Sequence, residues 1–497
     1  MRWVFRVLAQ PVRDTGRYEF SRKEPCLMPR ARTDRTIAPR PFLIASIVAT
    51  AFFMEGFDST VIVSALPHMA RAFDTTPVSL SLGLTAYILA LAVTLPASGW
   101  IADRYGARTV FASAIVLFAL TSVLCGFALS LPQFAAARAL QGFSGALMSP
   151  VGRLVVLRLA EKKDFVRVMN FVSVPGLVGP LLGPPIGGFI ATYADWRWIF
   201  FLNVPVAALG ATLVLRFIPD LHGERRSFDL AGFCLNGVAL ACLLLGLDML
   251  GQGGLNSLLG AGLSALGFSA GWAAMRHYQR AEKPLIDLSA LRIKTFATAT
   301  LMGGSLFRMS MAAPIFVLPL FLQVGLGHSA FVSGLLILAH SAGDLGVKVI
   351  TTATLKRFGF RSVLIASAAA FGALMAGLAL VGPATPLWAI LVVLLVSGAV
   401  RSLQMTSLSS MQFADVPRDQ MTGASTYASV NQNVTRAIGI AVAALILNIA
   451  SAFTDGGGAS VASFHIAFIA TGLLSFAAMY RYMTLPLDAG RHVSEGR

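Results

Sequence analysis

The sequence is dominated by apolar stretches of about 20 residues, the length at which a helix crosses the hydrocarbon core of a bilayer. They recur from residue 42 to residue 484, and no long polar loop separates one stretch from the next. Composition agrees, since 56% of the 497 residues are hydrophobic and 12% are charged, whereas soluble domains carry about 25% charged residues. The chain is therefore predicted to be an all-α polytopic membrane protein.

Fourteen transmembrane helices are predicted from these stretches. The predicted spans are 42–66, 79–101, 109–130, 133–157, 168–192, 197–217, 230–250, 254–275, 297–323, 331–353, 362–382, 385–409, 422–450 and 463–484. Most of the 39 lysines and arginines lie in tails and loops on the side of the N terminus, whereas the opposite loops carry only Arg71 and Arg197. This imbalance follows the positive-inside rule, so both termini are predicted to be cytoplasmic. The net charge of +16 accordingly indicates topology, not nucleic-acid binding.

Two motifs are repeated eight spans apart. Asp-Arg-Tyr-Gly-Ala-Arg at 103–108 follows span 2, and Lys-Arg-Phe-Gly-Phe-Arg at 356–361 follows span 10. Arg138-x-x-Gln141 in span 4 likewise recurs as Arg401-x-x-Gln404 in span 12. The spacing predicts two pseudo-symmetric six-helix bundles around a midplane site, an arrangement typical of transporters. The predicted domains are a disordered cytoplasmic tail (1–40), an N-terminal bundle (41–218), two inserted helices (219–283), a C-terminal bundle (284–485) and a cytoplasmic tail (486–497).

Ionisable residues inside the spans point to transport, because charges at membrane depth are costly and mark ion or solute pathways. Glu55 and Asp58 are three residues apart and lie near one helical face. Two nearby carboxylates in a dry interior resist simultaneous ionisation, so one could bind and release a proton near neutral pH. We hypothesise that Asp58 is the main proton carrier and that Glu55 tunes it or meets a cationic substrate. Arg138 is its predicted partner, and a purely structural ion pair is the alternative.

The C-terminal half is also polar at mid-depth. His340, Asp344 and Lys348 share one stripe of span 10. Asp344 and Lys348 can neutralise each other, which we favour; alternatively, His340 and Asp344 form a second proton or substrate station. Arg308 is another possible partner of Asp344. The same region, where an anionic or zwitterionic substrate is conceivable, also contains Arg401, Asn431 and Arg436.

The loop after span 2 carries a cluster suited to gating: Gly99, Asp103, Arg104, Gly106 and Arg108. Gly99 is expected to let a neighbouring helix approach closely. Asp103 can accept hydrogen bonds from backbone N–H groups or from Arg104 and Arg108. Such a cluster can hold one state closed and release it in another; a simple topology anchor is the alternative.

Span 5 is rich in glycine and proline. Gly179, Gly183 and Gly187 fall on one face, where small residues allow close helix packing. Their predicted partner is span 10, through Ala342, Gly343 and Gly346. Static packing is one interpretation, and a seal against ion leak between the halves is the other. The conspicuous members of this motif are Gly179, Gly183, Pro184, Gly187 and Gly188.

Together these motifs resemble the major facilitator superfamily, specifically its fourteen-helix drug:proton antiporter branch. The resemblance covers about residues 42–484. It includes Gly99-x-x-x-Asp103-Arg104-x-Gly106-x-Arg108, Arg138-x-x-Gln141-Gly142, Gly179-x-x-x-Gly183-Pro184-x-x-Gly187-Gly188, Asp58-Ser59-Thr60-Val61 and Trp196-Arg197-Trp198 to Asn203-Val204-Pro205. It implies contact between the loop after span 2 and span 13, and a sealing role for span 5. The second loop copy has Lys356 where the first has Asp103, which restricts a charge relay to the first half.

The predicted function is a proton-coupled secondary transporter that exports small, largely apolar or amphipathic molecules by alternating access. We find no metalloprotease, nucleophile-elbow or P-loop motif, so we predict no enzymatic activity, cofactor or metal, and an ion gradient supplies the energy. Sodium is the alternative coupling ion. Alternative functions are export of one physiological metabolite, or a transport-inactive scaffold or sensor. We expect a monomer in the bacterial inner (plasma) membrane, with a cavity lined by spans 1, 2, 4, 5, 9, 10, 12 and 13.

Overall fold

The computed structural model describes residues 41–159, 165–220, 222–223, 227–250, 254–281, 284–417, 420–454 and 460–486. Its fourteen long helices are α1 (Leu43–Ala72), α2 (Ser81–Tyr105), α3 (Ala107–Gly126), α4 (Leu131–Leu159), α5 (Phe165–Tyr193), α6 (Trp198–Phe217), α7 (Leu230–Leu250), α8 (Gly254–Arg280), α9 (Lys294–Gly325), α10 (330–358), α11 (360–380), α12 (Leu387–Ala414), α13 (Met421–Thr454) and α14 (Val461–Tyr482). The predicted N-terminal tail and residues 487–497 of the C-terminal tail lie outside the described residues.

The predicted count of fourteen helices and the all-α class are confirmed. Among the described residues, twelve helices are long and apolar enough to cross a membrane. The helices α4 and α5, each 29 residues long, complete the fourteen. A kink at Gly359, whose φ is +74°, separates α10 from α11. Gly106 occupies the matching position in the first loop copy and has φ of +88°, so the repeated motif has the same backbone turn twice.

Helix pairing repeats with a shift of eight, as the sequence repeat requires. In the first half α1 packs on α5, α2 on α4, and α3 on α6. In the second half α9 packs on α13, α10 on α12, and α11 on α14. The halves meet where α5 contacts α10 and where α2 contacts α13. The two inserted helices, α7 and α8, pack on each other, and α7 also contacts α2 and α13 beside that second junction.

The glycine stripe of α5, formed by Gly179, Gly183, Gly187 and Gly188, packs mainly against α1. The predicted packing of this stripe against span 10 was therefore wrong for all of these glycines except Gly188. A Cβ added at Gly179 would lie 2.8 Å from the backbone N of Phe57. A Cβ at Gly183 or Gly187 would lie 3.0 Å from backbone atoms of Val61. The backbones of α1 and α5 are therefore in direct contact, which only glycine permits.

Contact with α10 is confined to the end of the stripe. A Cβ at Gly188 would lie 3.0 Å from Phe331 Cα, and one at Gly334 would lie 2.9 Å from Pro185 Cα. The predicted partner Gly343 instead faces α12, where its added Cβ would lie 3.0 Å from Ala399 N. Small residues in a sequence indicate a close approach without specifying the neighbour, which explains the error.

Hydroxyl groups of α1 lie against carbonyl oxygens of the proline-rich α5. Pro184 has no N–H to donate to the carbonyl of Pro180, and Thr60 Oγ1 lies 3.4 Å from that oxygen and 3.3 Å from the Gly56 and Phe57 carbonyls of its own helix. Ser64 Oγ donates to the carbonyl of Pro184 at 3.0 Å. These bonds hold a proline-rich helix in an apolar surrounding, where unsatisfied carbonyls are costly.

Candidate functional site

Asp58 and Arg138 form a buried ion pair, as the sequence predicted. Arg138 Nη1 donates to Asp58 Oδ2 at 2.6 Å, and both side chains are at most 1% exposed. The guanidinium of Arg138 also lies 4.4 Å from the ring centroid of Tyr87. Two opposite charges removed from water are tolerated only when hydrogen bonds satisfy them closely.

Three further polar side chains complete this cluster. Gln141 Oε1 accepts from Arg138 at 2.6 Å, and Gln141 Nε2 donates to Asp58 Oδ1 at 3.1 Å. Asn203 Nδ2 donates to the same carboxylate oxygen at 3.0 Å, and Ser122 Oγ accepts from Gln141 at 2.7 Å. The sequence analysis noted Gln141 as part of the repeated motif and gave no role to Asn203 or Ser122. Both are polar residues inside apolar spans, a signal that could have identified them.

Glu55 lies one turn from this cluster but is engaged elsewhere. Its carboxylate accepts from Ser149 Oγ of α4 at 2.5 Å, and its side chain is partly buried. No ion pair joins it to a cation within the described residues. Glu55 and Asp58 therefore contact different side chains of α4 and share no hydrogen-bond partner among the described residues.

A cavity of about 780 Å³ lies between the two halves. It is lined by α1, α5, α9, α10, α11, α12 and α13. The expectation that α2 and α4 line it was wrong, and α11 contributes Phe371 and Met375. Ser59 and Val63 of α1 reach its wall, whereas Asp58 is fully buried behind them. Asp58, the proposed proton carrier, is thus next in sequence to Ser59 of the cavity wall but does not itself line the cavity.

The C-terminal half supplies most of the cavity wall. Five of the six residues predicted there line it: Arg308, His340, Asp344, Arg401 and Arg436. Asp344 accepts a hydrogen bond from Arg401 Nη2 in an ion pair between α10 and α12. The predicted neutralisation of Asp344 by Lys348 was therefore wrong, and Lys348 is exposed. His340 Nδ1 lies 2.8 Å from Ser397 Oγ of α12.

Arg308 and Asn431 surround an irregular turn of α9. Residues Thr298–Met302 form a π-helical turn, and such turns leave carbonyls that need other donors. Arg308 Nη1 donates to the Ala299 carbonyl at 3.1 Å, and Asn431 Nδ2 donates to the Thr300 carbonyl at 2.9 Å. Asn431 does not reach the cavity wall, so its contacts indicate a structural role, whereas Arg308 does reach it.

Comparison with known proteins identifies the family. The model of the Major Facilitator Superfamily matches residues 48–444. The chain belongs to the major facilitator superfamily. A protein of Escherichia fergusonii named for multidrug resistance, MdtD, is 38% identical over 405 residues, covering 81% of this chain and 85% of its own length. Its counterpart in Escherichia coli K12 is 35% identical over 455 residues, covering 91% of this chain and 96% of its own.

Solved structures show the same superfamily fold. The crystal structure of a D-xylose-proton symporter matches with a TM-score of 0.64 and 16% identity, covering 90% of this chain and 99% of that one. The nucleoside transporter NupG matches with a TM-score of 0.60 and 14% identity, covering 89% and 99% respectively. The chain is thus a membrane transporter of the major facilitator superfamily and not an enzyme.

The superfamily loop after α2 makes contacts other than those predicted. Asp103 forms an ion pair with Arg158 of α4 at 2.5 Å and not with Arg104 or Arg108, and each partner's side chain is 26% exposed. The guanidinium of Arg104 lies 5.5 Å from the ring centroid of Trp100. The carbonyl of Asp103 accepts from Gly223 N at 3.1 Å. Gly223, which follows α6, therefore packs on this loop.

Gly99 is exposed, and an added Cβ would meet nothing within 4 Å. The expectation that it permits a close helix approach is therefore wrong for this conformation. Gly106 differs, because its φ is +88° and an added Cβ would lie 3.1 Å from His222 Nε2. The two glycines of the superfamily motif serve different purposes here, since only Gly106 is required by the local backbone.

Substitution Gly99→Ala should therefore preserve folding, with a melting temperature equal to or above that of the wild type, because alanine is favoured over glycine in helices by about 0.5–1 kcal/mol. The matched control Gly106→Ala should lower the melting temperature, because alanine at positive φ is strained by about 1–2 kcal/mol. Thermal unfolding of the two purified variants measures this. A Gly99→Ala protein that unfolds as early as Gly106→Ala would contradict the assignment.

Proposed function

We propose that this protein is a proton-coupled exporter of small, largely apolar or amphipathic molecules that works by alternating access. The observation that carries the proposal is the fully buried pair of Asp58 and Arg138 directly behind the wall of the cavity between the halves. A carboxylate in such a place can hold either a proton or a cation, which couples ionisation to conformation. The multidrug resistance names of the MdtD relatives support drug export.

The proposed cycle uses the contacts of Asp58. When Asp58 takes a proton, its attraction to Arg138 weakens. A proton on Oδ1 would also displace Gln141 and Asn203, because both donate to that oxygen. A proton arriving from outside would then favour the state that releases substrate outward, and loss of the proton inside would reset the carrier. Ser59, next to Asp58, transmits the change to the cavity wall.

The membrane orientation that we propose follows from the distribution of lysines and arginines along the chain. The ends of α2 and α4 that carry Asp103, Arg104 and Arg158 belong to the basic side, which we assign to the cytoplasm. Both termini are then cytoplasmic, and α5 and α10 meet near the extracellular side. We treat 41–218 and 284–485 as the moving bundles, 219–283 as the inserted pair, and a monomer in the inner membrane as the working unit. The packed glycines of α5 can prevent ion leak during movement.

Gating at the cytoplasmic side is expected to depend on the Asp103–Arg158 pair. Asp103→Asn should lower transport about five-fold, because an exposed pair contributes about 1 kcal/mol to the state that contains it. The exchanged variant Asp103→Arg with Arg158→Asp restores an opposite-charge pair and should recover most of the rate. Initial transport rates in vesicles measure both. Equal losses in the single and exchanged variants would mean that charge pairing is not what matters.

Reconstitution in lipid vesicles tests the function directly. Vesicles acidic inside should accumulate the apolar probe N-phenyl-1-naphthylamine while their internal pH rises, and nigericin, which collapses the pH gradient, should stop accumulation. Accumulation with unchanged internal pH would exclude proton antiport. If no probe accumulates, whether it is neutral, cationic or anionic, the protein is not such an exporter, and a scaffold or sensor role is favoured.

A further inference from the structure

The charges around the cavity are strongly unbalanced. Four cationic side chains line it, Arg308, Lys348, Arg401 and Arg436, against one carboxylate, Asp344. Asp344 is engaged by Arg401, so that pair is neutral. Of the other three, Lys348 is exposed, whereas Arg308 is buried, Arg436 is partly buried, and neither arginine has an acidic partner in the described wall. Positive charge shielded from water is costly unless something in the working cycle neutralises it.

Arg436 is the most exceptional of these cations. It is partly buried on α13, lines the cavity, and makes no hydrogen bond or ion pair with any described residue. Its Nε is fully shielded from solvent and has no acceptor. Glu55 is close enough to interact electrostatically with Arg436, but it forms no ion pair with it among the described residues and accepts from Ser149. A guanidinium without a paired carboxylate in a bilayer-depth cavity is suited to bind an anion.

Arg308 presents a second uncompensated charge on the adjacent helix. Its Nη2 donates to Gln412 Oε1 at 2.9 Å and its Nη1 to the Ala299 carbonyl at 3.1 Å. Both acceptors are neutral, so they fix the guanidinium in place and leave its charge in excess. The helices α9 and α13 pack at this level, because a Cβ on Gly439 would lie 2.7 Å from the Met309 carbonyl. The two arginines therefore face one cavity from neighbouring helices.

The rest of the wall combines apolar side chains with small hydroxyl groups. The apolar ones include Met311, Ile315, Leu318, Met375 and Met405, and serines and threonines lie between them. Methionine and branched apolar side chains accept varied apolar shapes. We infer that the cavity binds an amphipathic organic anion, whose carboxylate or sulfonate group pairs with Arg436 while its apolar body contacts the apolar side chains of the wall. This inference rests on the proposed export function and specifies its substrate class.

A matched pair of probes tests it in the vesicle assay. 8-Anilinonaphthalene-1-sulfonate and N-phenyl-1-naphthylamine share one ring system, and only the first carries a negative charge. Wild-type protein should accumulate the sulfonate in preference to the neutral amine. Arg436→Gln should lower sulfonate accumulation at least about ten-fold, the usual effect of losing a charge-assisted bond, and change amine accumulation by less than about two-fold.

Two further variants make the result interpretable. Arg436→Lys keeps the charge and should retain the preference for the sulfonate, which guards against a folding defect in the glutamine variant. Arg276→Gln removes an arginine of α8 that stacks over Trp272 at 3.6 Å, outside the cavity, and should behave as the wild type. If ethidium or the amine exchanges for protons but the sulfonate does not, the export function stands and the anion inference fails. Equal loss of both probes in Arg436→Gln, with normal melting temperature, would also overturn it.

Discussion

Replacing Asp58 by Asn is expected to reduce gradient-driven transport by roughly 100-fold or more, to the level of empty vesicles, because an amide cannot carry the proton. Asparagine has nearly the shape of aspartate, so contacts of Gln141 and Asn203 can be kept in part. The charge of Arg138 would lose its partner in a fully buried site. Initial rates in vesicles with an imposed pH gradient provide the measurement.

A double variant separates the loss of the proton from the loss of structure. An unpaired buried charge costs about 3–5 kcal/mol, so Asp58→Asn alone should unfold at a lower temperature than the wild type. Adding Arg138→Gln removes the orphaned charge and should recover much of the melting temperature while transport stays absent. Wild-type transport rates in either variant would remove Asp58 from the mechanism.

The second large effect is expected at the α1–α5 contact. Gly183→Val places a branched side chain where the added Cβ alone would lie 3.0 Å from Val61 N. Overpacking usually costs about 1–3 kcal/mol, and here the neighbour is backbone that cannot rotate away, so the upper end is expected. The purified variant should melt at a clearly lower temperature, and its transport should fall because α5 can no longer pack on α1.

Gly262→Val is the matched control for this substitution. Gly262 lies on an exposed face of α8, and an added Cβ would meet nothing within 4 Å. The same change in helix propensity then occurs without a collision, so stability and transport should remain near the wild-type values. If the two valine variants melt at the same temperature, close packing of the stripe is not what Gly183 provides.

The fold was largely predictable because membrane burial imposes a pattern on every span. Apolar length gave fourteen helices, and the spacing of Arg138-x-x-Gln141 and Arg401-x-x-Gln404 gave the repeat that helix pairing follows. The structure adds a chemical parallel: Gln141 bonds to Ser122, and Gln404 bonds to Ser367 of the matching helix. Sequence patterns predict the spans because every span must be an apolar helix whose backbone hydrogen bonds are satisfied internally.

Partners across helices were harder to predict. The Asp58–Arg138 pair was foreseen because few opposite charges were available in the first half. In the second half, the spacing of four residues between Asp344 and Lys348 on span 10 favoured Lys348 as the partner of Asp344. In the structure Asp344 instead forms its ion pair with Arg401 of a neighbouring helix. Sequence spacing describes one helix at a time, and the choice among several cations depends on how helices are rotated against one another.

We propose that protonation of Asp58 sets which side of the cavity is open. Spin labels on cysteines replacing Ala194 and His328, at the ends of α5 and α10 on the proposed extracellular side, report this opening when the native cysteines are absent. In the wild-type background the label distance should lengthen as the pH falls, and in Asp58→Asn it should stay long at every pH. A variant whose distance responds to pH as the wild type does would contradict the account.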